Sequence, residues 1–418
     1  MEVGIEKMNA YCGSSFVDVL ELANCRKLDM SRFNNLLIKE KTLAMPYEDP
    51  VSLAVNAARP IVDALSERER DRIEMVICCT ESSFDFSKSM STYVHDLLRL
   101  NRNCRLFEIK NACYSGTLGL QNAVNFVLSG VSPGAKALVI ATDISRFAYY
   151  KDDEVQLSDW SYVEPSSGAG AVAFLVSSNP EIFNIDVGAN GYYGFEVMDT
   201  CRPVPDSEVG NSDISLLAYL ECCENSYREY AKRVSGCDYG TTFDYLTYHV
   251  PFGGMVKAAH KNMMRKTKKA SQKDIDVDFE ERVEPGLLYC QRVGNIMGAT
   301  VMLSLLSTIA NGEFDSPKRL GVFSYGSGCC SEFFSGVVTQ DGQRIVQKLM
   351  VGDKLDERYR VGMEEYEQVL QTSTSLKIGT KEYQLDNAWL DSLKACANDR
   401  VIYLSGIENY HRKYSWYE

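Results

Sequence analysis

Arg105-Leu-Phe-Glu-Ile-Lys-Asn-Ala-Cys113-Tyr-Ser-Gly-Thr-Leu-Gly-Leu-Gln-Asn-Ala-Val-Asn-Phe-Val-Leu-Ser-Gly130 hands a short strand over to an uncharged helix, with a cysteine at the junction. Leu106 to Ile109 is rich in large apolar residues and reads as a buried strand. From Gly119 onward Leu120, Ala123, Val124, Val127 and Leu128 recur at helical spacing. No charged residue occurs between Asn111 and Ala135, which predicts a helix buried on all sides. A cysteine at the start of such a helix faces unpaired N–H groups and the positive end of the helix dipole, which favour thiolate over thiol. Most buried cysteines are inert packing residues. Cys113 is therefore a nucleophile only if other segments supply it with partners.

Outward from this junction, strands and helices alternate, the pattern of an α/β protein. Ile73 to Cys79, Ala137 to Ala141 and Val172 to Val176 read as further buried strands. Asp49 to Leu65, with Pro60 inside it, and Ser87 to Leu100 read as helices. The stretch 186–210 reads as loop, punctuated by Gly188, Gly191, Gly194, Pro203 and Pro205. A polar helical stretch then runs to Tyr239. Tyr245 to Val250 reads as a strand closed by Pro251-Phe-Gly-Gly254, followed by helices from Met255 to Lys269 and from Asn295 to Ala310. Arg319 to Tyr325 and Ser331 to Val338 read as strands joined through Gly326-Ser-Gly328. Beyond Asp341 the chain is more charged and is expected to be peripheral. No internal repeat is legible.

At 418 residues the chain is long enough for two domains or two fused halves, and its 45% hydrophobic and 24% charged content is that of a globular enzyme. The N-terminus lacks a signal pattern and no apolar run reaches membrane-spanning length, which predicts a cytoplasmic protein. Fourteen cysteines include the adjacent pairs Cys78-Cys79, Cys222-Cys223 and Cys329-Cys330, a poor disulfide framework. The four histidines, His95, His249, His260 and His411, form no His-x3-His pair, and no Cys-x-x-Cys occurs, so no metal site is expected. A net charge of −13 argues against a nucleic-acid binder.

Several positions can carry chemistry. Glu81 follows a buried strand, where α/β proteins place their sites; burial would raise its pKa toward that of a usable base or acid, or it is a plain turn carboxylate. His249 ends a strand before a tight turn whose Gly253 and Gly254 let a ligand or another backbone approach. Gly326-Ser327-Gly328 can aim backbone N–H groups into an oxyanion site, and Asn295 can offer a side-chain donor; a hairpin turn and a helix cap are the plain alternatives. Gly168-Ala-Gly-Ala-Val-Ala173 matches a loose dinucleotide pattern but precedes a strand, and is rejected as one. Between Met255 and Lys273 seven basic residues occur with no acid, namely Lys257, Lys261, Arg265, Lys266, Lys268, Lys269 and Lys273. Such a run is a solvated helix face or a surface that receives a phosphate or an acidic carrier domain.

Together these segments resemble the 3-hydroxy-3-methylglutaryl (HMG) synthase family of the thiolase superfamily. The resemblance rests on Thr80-Glu-Ser-Ser-Phe-Asp-Phe-Ser-Lys88, Lys110-Asn-Ala-Cys-Tyr-Ser-Gly-Thr117, Tyr248-His-Val-Pro-Phe252, Val293-Gly-Asn295 and Phe323-Ser-Tyr-Gly-Ser-Gly328, in the family's order. It implies a thiolase-like α/β fold of two α-β-α-β-α halves with a duplicated mixed sheet core. The boundary is expected between 1–176, carrying Glu81 and Cys113, and 177–418, carrying His249, Asn295 and Ser327. It also implies a Glu81–Cys113–His249 catalytic trio, oxyanion donors at Cys113 N–H, Ser327 N–H and the Asn295 side chain, supporting aspartates Asp143 and Asp199, and a homodimer.

Within the family the chain looks most similar to the polyketide β-branching synthases, which act on substrates tethered to acyl carrier proteins (ACPs). The segments 191–203 and 326–334, and Lys39-Glu-Lys41 followed by Pro46-Tyr-Glu-Asp-Pro50, carry that likeness. The resemblance implies an acyltransferase that condenses a Cys113-bound acetyl group with a β-keto acyl-ACP. It implies no bound cofactor, the phosphopantetheine arriving on donor and acceptor carriers. Arg32, Lys39, Lys257, Lys261 and Arg265 are the candidates to receive it. The alternatives are a primary-metabolism enzyme using acetyl-CoA and acetoacetyl-CoA, a ketoacyl synthase, and a non-catalytic docking subunit.

Overall fold

The computed structural model describes residues 2–145, 160–204, 207–376, 378–396 and 400–417. Its centre is a nine-stranded mixed sheet. In chain order the strands are β1 (Gly4–Tyr11), β2 (Ile73–Cys79), β3 (Arg105–Ile109), β4 (Lys136–Ile144), β5 (Ala169–Ser177), β6 (Phe183–Gly194), β7 (Tyr245–Tyr248), β8 (Lys318–Gly326) and β9 (Cys330–Val338). Their order across the sheet is β7-β8-β9-β6-β1-β5-β4-β2-β3.

Hydrogen-bond polarity exposes a duplication. β2 runs parallel to β4, and β4, β5 and β1 follow antiparallel. β7 runs parallel to β8, and β8, β9 and β6 follow antiparallel. The array β2-β4-β5-β1 is thus repeated as β7-β8-β9-β6. The two arrays meet where β1 pairs β6, at Gly4↔Asn184 and Ile5↔Phe183. β3 adds a free edge beyond β2.

Alternating side chains build the layers. On β4, Leu138 and Ile140 pack with Val51, Val55 and Val62 of α1 (Pro50–Asp63), whereas Val139 and Ala141 join Leu120, Ala123 and Val124 of α2 (Ser115–Leu128). The same second cluster takes in α5 (Thr300–Asn311) and the apolar face of β8. On the outer face of the second array, Tyr219, Tyr227 and Tyr230 of α3 (Ser212–Arg233) meet Phe323 and Phe333 edge-on. α4 (Gly253–Lys268) follows the site turn after β7. The result is the expected α-β-α-β-α stack.

Four expectations need correction. α2 is not buried all round: Asn122 and Asn125 are exposed, and it is α5 whose residues Thr300 to Ile309 are all buried. The amides of α2 satisfy water without charge, so the lack of charge overstated the burial. Much of 186–210 is not loop but the end of β6 plus a hairpin, Thr200–Val204 with Ser207–Gly210. Its Gly191 is a packing device: a Cβ there would lie 2.2 Å from Ser226 O and Tyr230 N, so α3 presses on β6 backbone to backbone. Asn295 does not start α5 but forms a bridge with Ser167, ahead of a 3-10 turn at Met297–Ala299. The tail is not merely peripheral. Asp49 caps α1 through Ser52 N, while its other oxygen accepts from Arg412 Nη1 at 3.0 Å and Tyr414 Oη at 2.8 Å.

Candidate active site

Thr80 and Glu81 follow directly on β2, and Asp143 lies near the end of the parallel neighbour β4. One Asp143 oxygen, Oδ1, accepts from Thr80 Oγ1 at 3.0 Å, Glu81 N at 2.8 Å and Ser82 Oγ at 2.8 Å. Asp143 thereby pins the turn that presents Glu81. Burial raises Asp143 to about 6 despite the opposing pull of Arg202 and these three donors.

The Cys113 thiol donates to Glu81 Oε1 at 3.5 Å. Cys113 lies in a tight turn just ahead of α2, after Ala112 at φ 43°. Burial raises the Glu81 pKa, Asp143 adds to that, and Arg202 and the Cys113 contact oppose it. Arg202 Nε stands 3.5 Å from Glu81 Oε2, and its Nη1 donates to the Glu81 carbonyl at 3.3 Å. This arginine was not foreseen. It immediately precedes Pro203 in a stretch read as loop, and only the folded hairpin carries it to Glu81.

The second half supplies the opposite wall. Asp199, fully buried, accepts from Gly328 N at 2.9 Å through Oδ1, and from Tyr325 Oη at 2.6 Å and Ser215 Oγ at 3.3 Å through Oδ2. It holds the turn that contains Ser327, where Gly328 takes φ 116°. Gly326 in that turn presses on the chain beside Cys113: a Cβ there would lie 2.7 Å from Tyr114 N. The first turn of α2 also meets this half, since a Cβ on Gly116 would lie 2.1 Å from Gly298 O.

Asn295 is anchored through its backbone to Ser166 O at 2.7 Å and Gly168 N at 2.8 Å. Its Oδ1 accepts from Met297 N at 3.0 Å and Thr300 Oγ1 at 2.8 Å, which orients Nδ2 as the remaining donor. His249 follows β7, its N donating to Phe323 O at 2.7 Å and its O accepting from Tyr219 Oη at 2.6 Å. Burial depresses the imidazole to about 3, so it is neutral at neutral pH. Its Nδ1 is buried and has no hydrogen-bond partner among the described residues. Gly253 and Gly254 admit a backbone: a Cβ on Gly254 would lie 2.1 Å from Asn35 O.

The basic candidates separate into two groups. Arg32 and Lys39 are exposed on the segment that packs over this glycine pair. On α4, Lys257 pairs with Asp276 at 3.7 Å, Lys268 pairs with Asp238 at 2.9 Å, Lys266 pairs with Glu224, and Arg265 donates to Gln272 at 3.2 Å. Three of the seven cations of that run, Lys257, Lys266 and Lys268, are thus paired with acids within the fold. Among the described residues no cluster of three or more His, Cys, Asp or Glu could hold a metal, and no helix is long and apolar enough to cross a membrane.

One α-β-α-β-α stack built on a repeated four-strand array, with a cysteine–carboxylate contact between the end of β2 and the start of α2, defines a thiolase-fold acyltransferase. Residues 1–181 match the N-terminal model of hydroxymethylglutaryl-coenzyme A synthase, and residues 260–417 match its C-terminal model. The chain belongs to the hydroxymethylglutaryl-CoA synthase family. It is 58% identical to the polyketide biosynthesis 3-hydroxy-3-methylglutaryl-ACP synthase PksG of Bacillus subtilis, over 100% of this chain and 99% of the relative. It is 31% identical to a hydroxymethylglutaryl-CoA synthase of Enterococcus faecalis, over 99% of this chain and 100% of the relative. A crystal structure of the curacin pathway HMG synthase in complex with acetyl donor-ACP is similar with a TM-score of 0.96, 58% identity and full coverage of both chains.

Proposed function

We propose that this chain is an HMG-ACP synthase of polyketide β-branching. It joins a Cys113-bound acetyl group to the β-ketone of an ACP-tethered polyketide and releases a 3-hydroxy-3-carboxymethyl acyl-ACP. The contact of the Cys113 thiol with Glu81 at 3.5 Å carries the chemical part of this reading. The full-length likeness to PksG and to the curacin enzyme favours ACP substrates over free CoA thioesters.

Cys113 attacks the acetyl thioester of the donor carrier, and the carrier's phosphopantetheine leaves as the thiol. The N–H groups of Cys113 and Ser327 hold the thioester oxygen. Acylated sulfur no longer donates to Glu81, and the freed carboxylate takes a proton from the acetyl methyl. The resulting enolate attacks the acceptor's β-carbon, while neutral His249 and the Asn295 amide polarise the ketone oxygen; the alkoxide so formed is protonated to the 3-hydroxyl, the net proton being the one Glu81 took from the methyl. Water then cleaves the Cys113 thioester. Thioester exchange needs a sulfur nucleophile, which is the chemistry a cysteine supplies.

The chain divides at 1–176 and 177–418, each part holding one copy of the repeated strand array. It works in the cytoplasm as a homodimer, with no nucleic-acid or membrane partner. The free edge of β3 and the half-buried Phe107, Ile109 and Phe126 suit the contact with a second copy. Arg32 and Lys39 are better placed than the α4 cations to receive phosphopantetheine or a carrier.

Intact-protein mass spectrometry tests the reading, with acetyl-CoA and acetyl-ACP offered separately and Cys113→Ser as control. Fast loading from acetyl-ACP alone supports β-branching. Equal or faster loading from acetyl-CoA supports the primary-metabolism alternative, and no loading from either refutes acetyl transfer. Glu81→Ala should still be acetylated on Cys113 but fail to condense; absence of its acetyl-enzyme would refute this division of roles.

A further inference from the structure

Tyr114, the residue after Cys113, donates its hydroxyl to Glu332 Oε2 at 2.7 Å. Glu332 belongs to β9 in the other half and is 0% exposed. Its second oxygen accepts from Gln121 Nε2 on α2 at 2.9 Å and from Asn190 Nδ2 on β6 at 3.3 Å. Among the described residues no cation forms a salt bridge with it. Burial lifts its pKa to about 7 against the pull of Tyr114, Asn190 and the more distant Arg233.

A carboxylate surrounded only by neutral donors is expensive to bury, and an apolar residue of similar size would be the more stable filling. Its geometry offers a reason for its presence. Tyr114 is held twice by the second half, its backbone N against Gly326 and its hydroxyl on Glu332. Gln121, about two helical turns further along α2, ties the same helix to the same carboxylate. Glu332 therefore fastens the start of α2 to the strand that emerges from the Ser327 turn.

We infer that Glu332 is a positioning residue which, through Tyr114, sets the separation between the N–H groups of Cys113 and Ser327 that receive the thioester oxygen. This rests on the acetyl-transfer reading above. Its carboxylate accepts from Tyr114, Gln121 and Asn190 and not from Cys113, so its loss should slow acyl transfer while leaving substrate affinity and the intrinsic reactivity of the thiol in place.

The test compares Tyr114→Phe, Glu332→Leu and Glu332→Gln with the unaltered enzyme, following acetyl-Cys113 formation from acetyl-ACP in single turnovers. Alkylation of Cys113 by iodoacetamide serves as a readout that uses no oxyanion site. Tyr114→Phe and Glu332→Leu should lower the limiting acetylation rate about 10- to 100-fold, since displacements near 1 Å carry penalties of that order. Their half-saturating ACP concentration and alkylation rate should stay within about 2-fold. Glu332→Gln should recover most of the rate, because its amide oxygen still accepts from Tyr114 and the facing amides can turn to match it.

Acetylation within about 2-fold of the unaltered rate in both Tyr114→Phe and Glu332→Leu overturns the inference. So does a parallel loss of alkylation, or a Gln variant as slow as Leu. Tyr114→Phe removes one oxygen atom and keeps the ring, which guards against misfolding of the Glu332 variants. If the unaltered enzyme itself forms no acetyl-Cys113, it is the acetyl-transfer reading that fails.

Discussion

Replacing Gly326 by alanine should separate the two halves of the oxyanion site. A Cβ at this position would lie 2.7 Å from Tyr114 N, 2.8 Å from Tyr114 Cβ and 3.0 Å from Asn111 O, where ordinary contact begins at 3.4 Å. None of these atoms is the far end of a flexible side chain. The Ser327 turn and the Cys113 turn must therefore part by up to about 0.7 Å. Oxyanion donors act at 2.7–3.1 Å, loss of one costs about 10²- to 10³-fold, and a misplacement near 1 Å costs about 10²-fold. We expect Gly326→Ala to slow Cys113 acetylation by about 30- to 100-fold with little change in half-saturation. Quenched-flow intact mass measurements read this directly. Gly362→Ala is the matched control, since a Cβ there meets nothing within 4 Å. Acetylation by Gly326→Ala within about 3-fold of the unaltered enzyme would refute the reasoning.

Three further outcomes are expected. Arg202→Gln removes the cation that holds the Glu81 pKa down, so the rising limb of the condensation pH profile should move to more alkaline pH while Cys113 acetylation changes little. An unmoved limb would show that Arg202 does not act through Glu81. His249 is held at about 3 by burial, below its ordinary 6.5. Between those values the unfolded chain binds a proton that the folded chain refuses, so acid destabilises the fold across that window, whereas above it both states are neutral. Urea midpoints should show the unaltered enzyme losing about 2 kcal/mol more than His249→Asn between pH 7.5 and pH 5. Arg412→Met strands Asp49, with which Arg412 pairs at 3.0 Å with side chains 5% and 0% exposed. It should cost about 3 kcal/mol and lower the melting temperature; an unchanged melting temperature would mean that the tail does not brace α1.

The strands Ile73–Cys79 and Arg105–Ile109 and the motifs around Glu81, Cys113, His249 and Ser327 were legible because each is a local signal: a short apolar run, a turn, a residue type at its end. What escaped is non-local. The repeat of β2-β4-β5-β1 as β7-β8-β9-β6 lives in hydrogen-bond polarity, which two diverged stretches need not share as text. Most of β6 was hidden because glycines that admit a close-packed helix look like loop glycines in a string. Arg202 and Glu332 carry no local mark at all. One stands before a proline in a stretch that reads as loop and the other follows a serine in a strand, and each gains meaning from a side chain in the opposite half.

The close approach of the two halves has a consequence for how such an enzyme can diversify. Where Gly116 meets Gly298, and where Gly326 meets Tyr114, backbone touches backbone, and the next smallest side chain already intrudes. Walls that line an acceptor channel can drift by one methyl group at a time; this seam has no such intermediate steps. Variation should therefore accumulate around the seam and stop at it. A chain that has exchanged any of these three glycines while keeping Glu81, Cys113 and His249 would be a candidate for a relic, recognisable without assaying it.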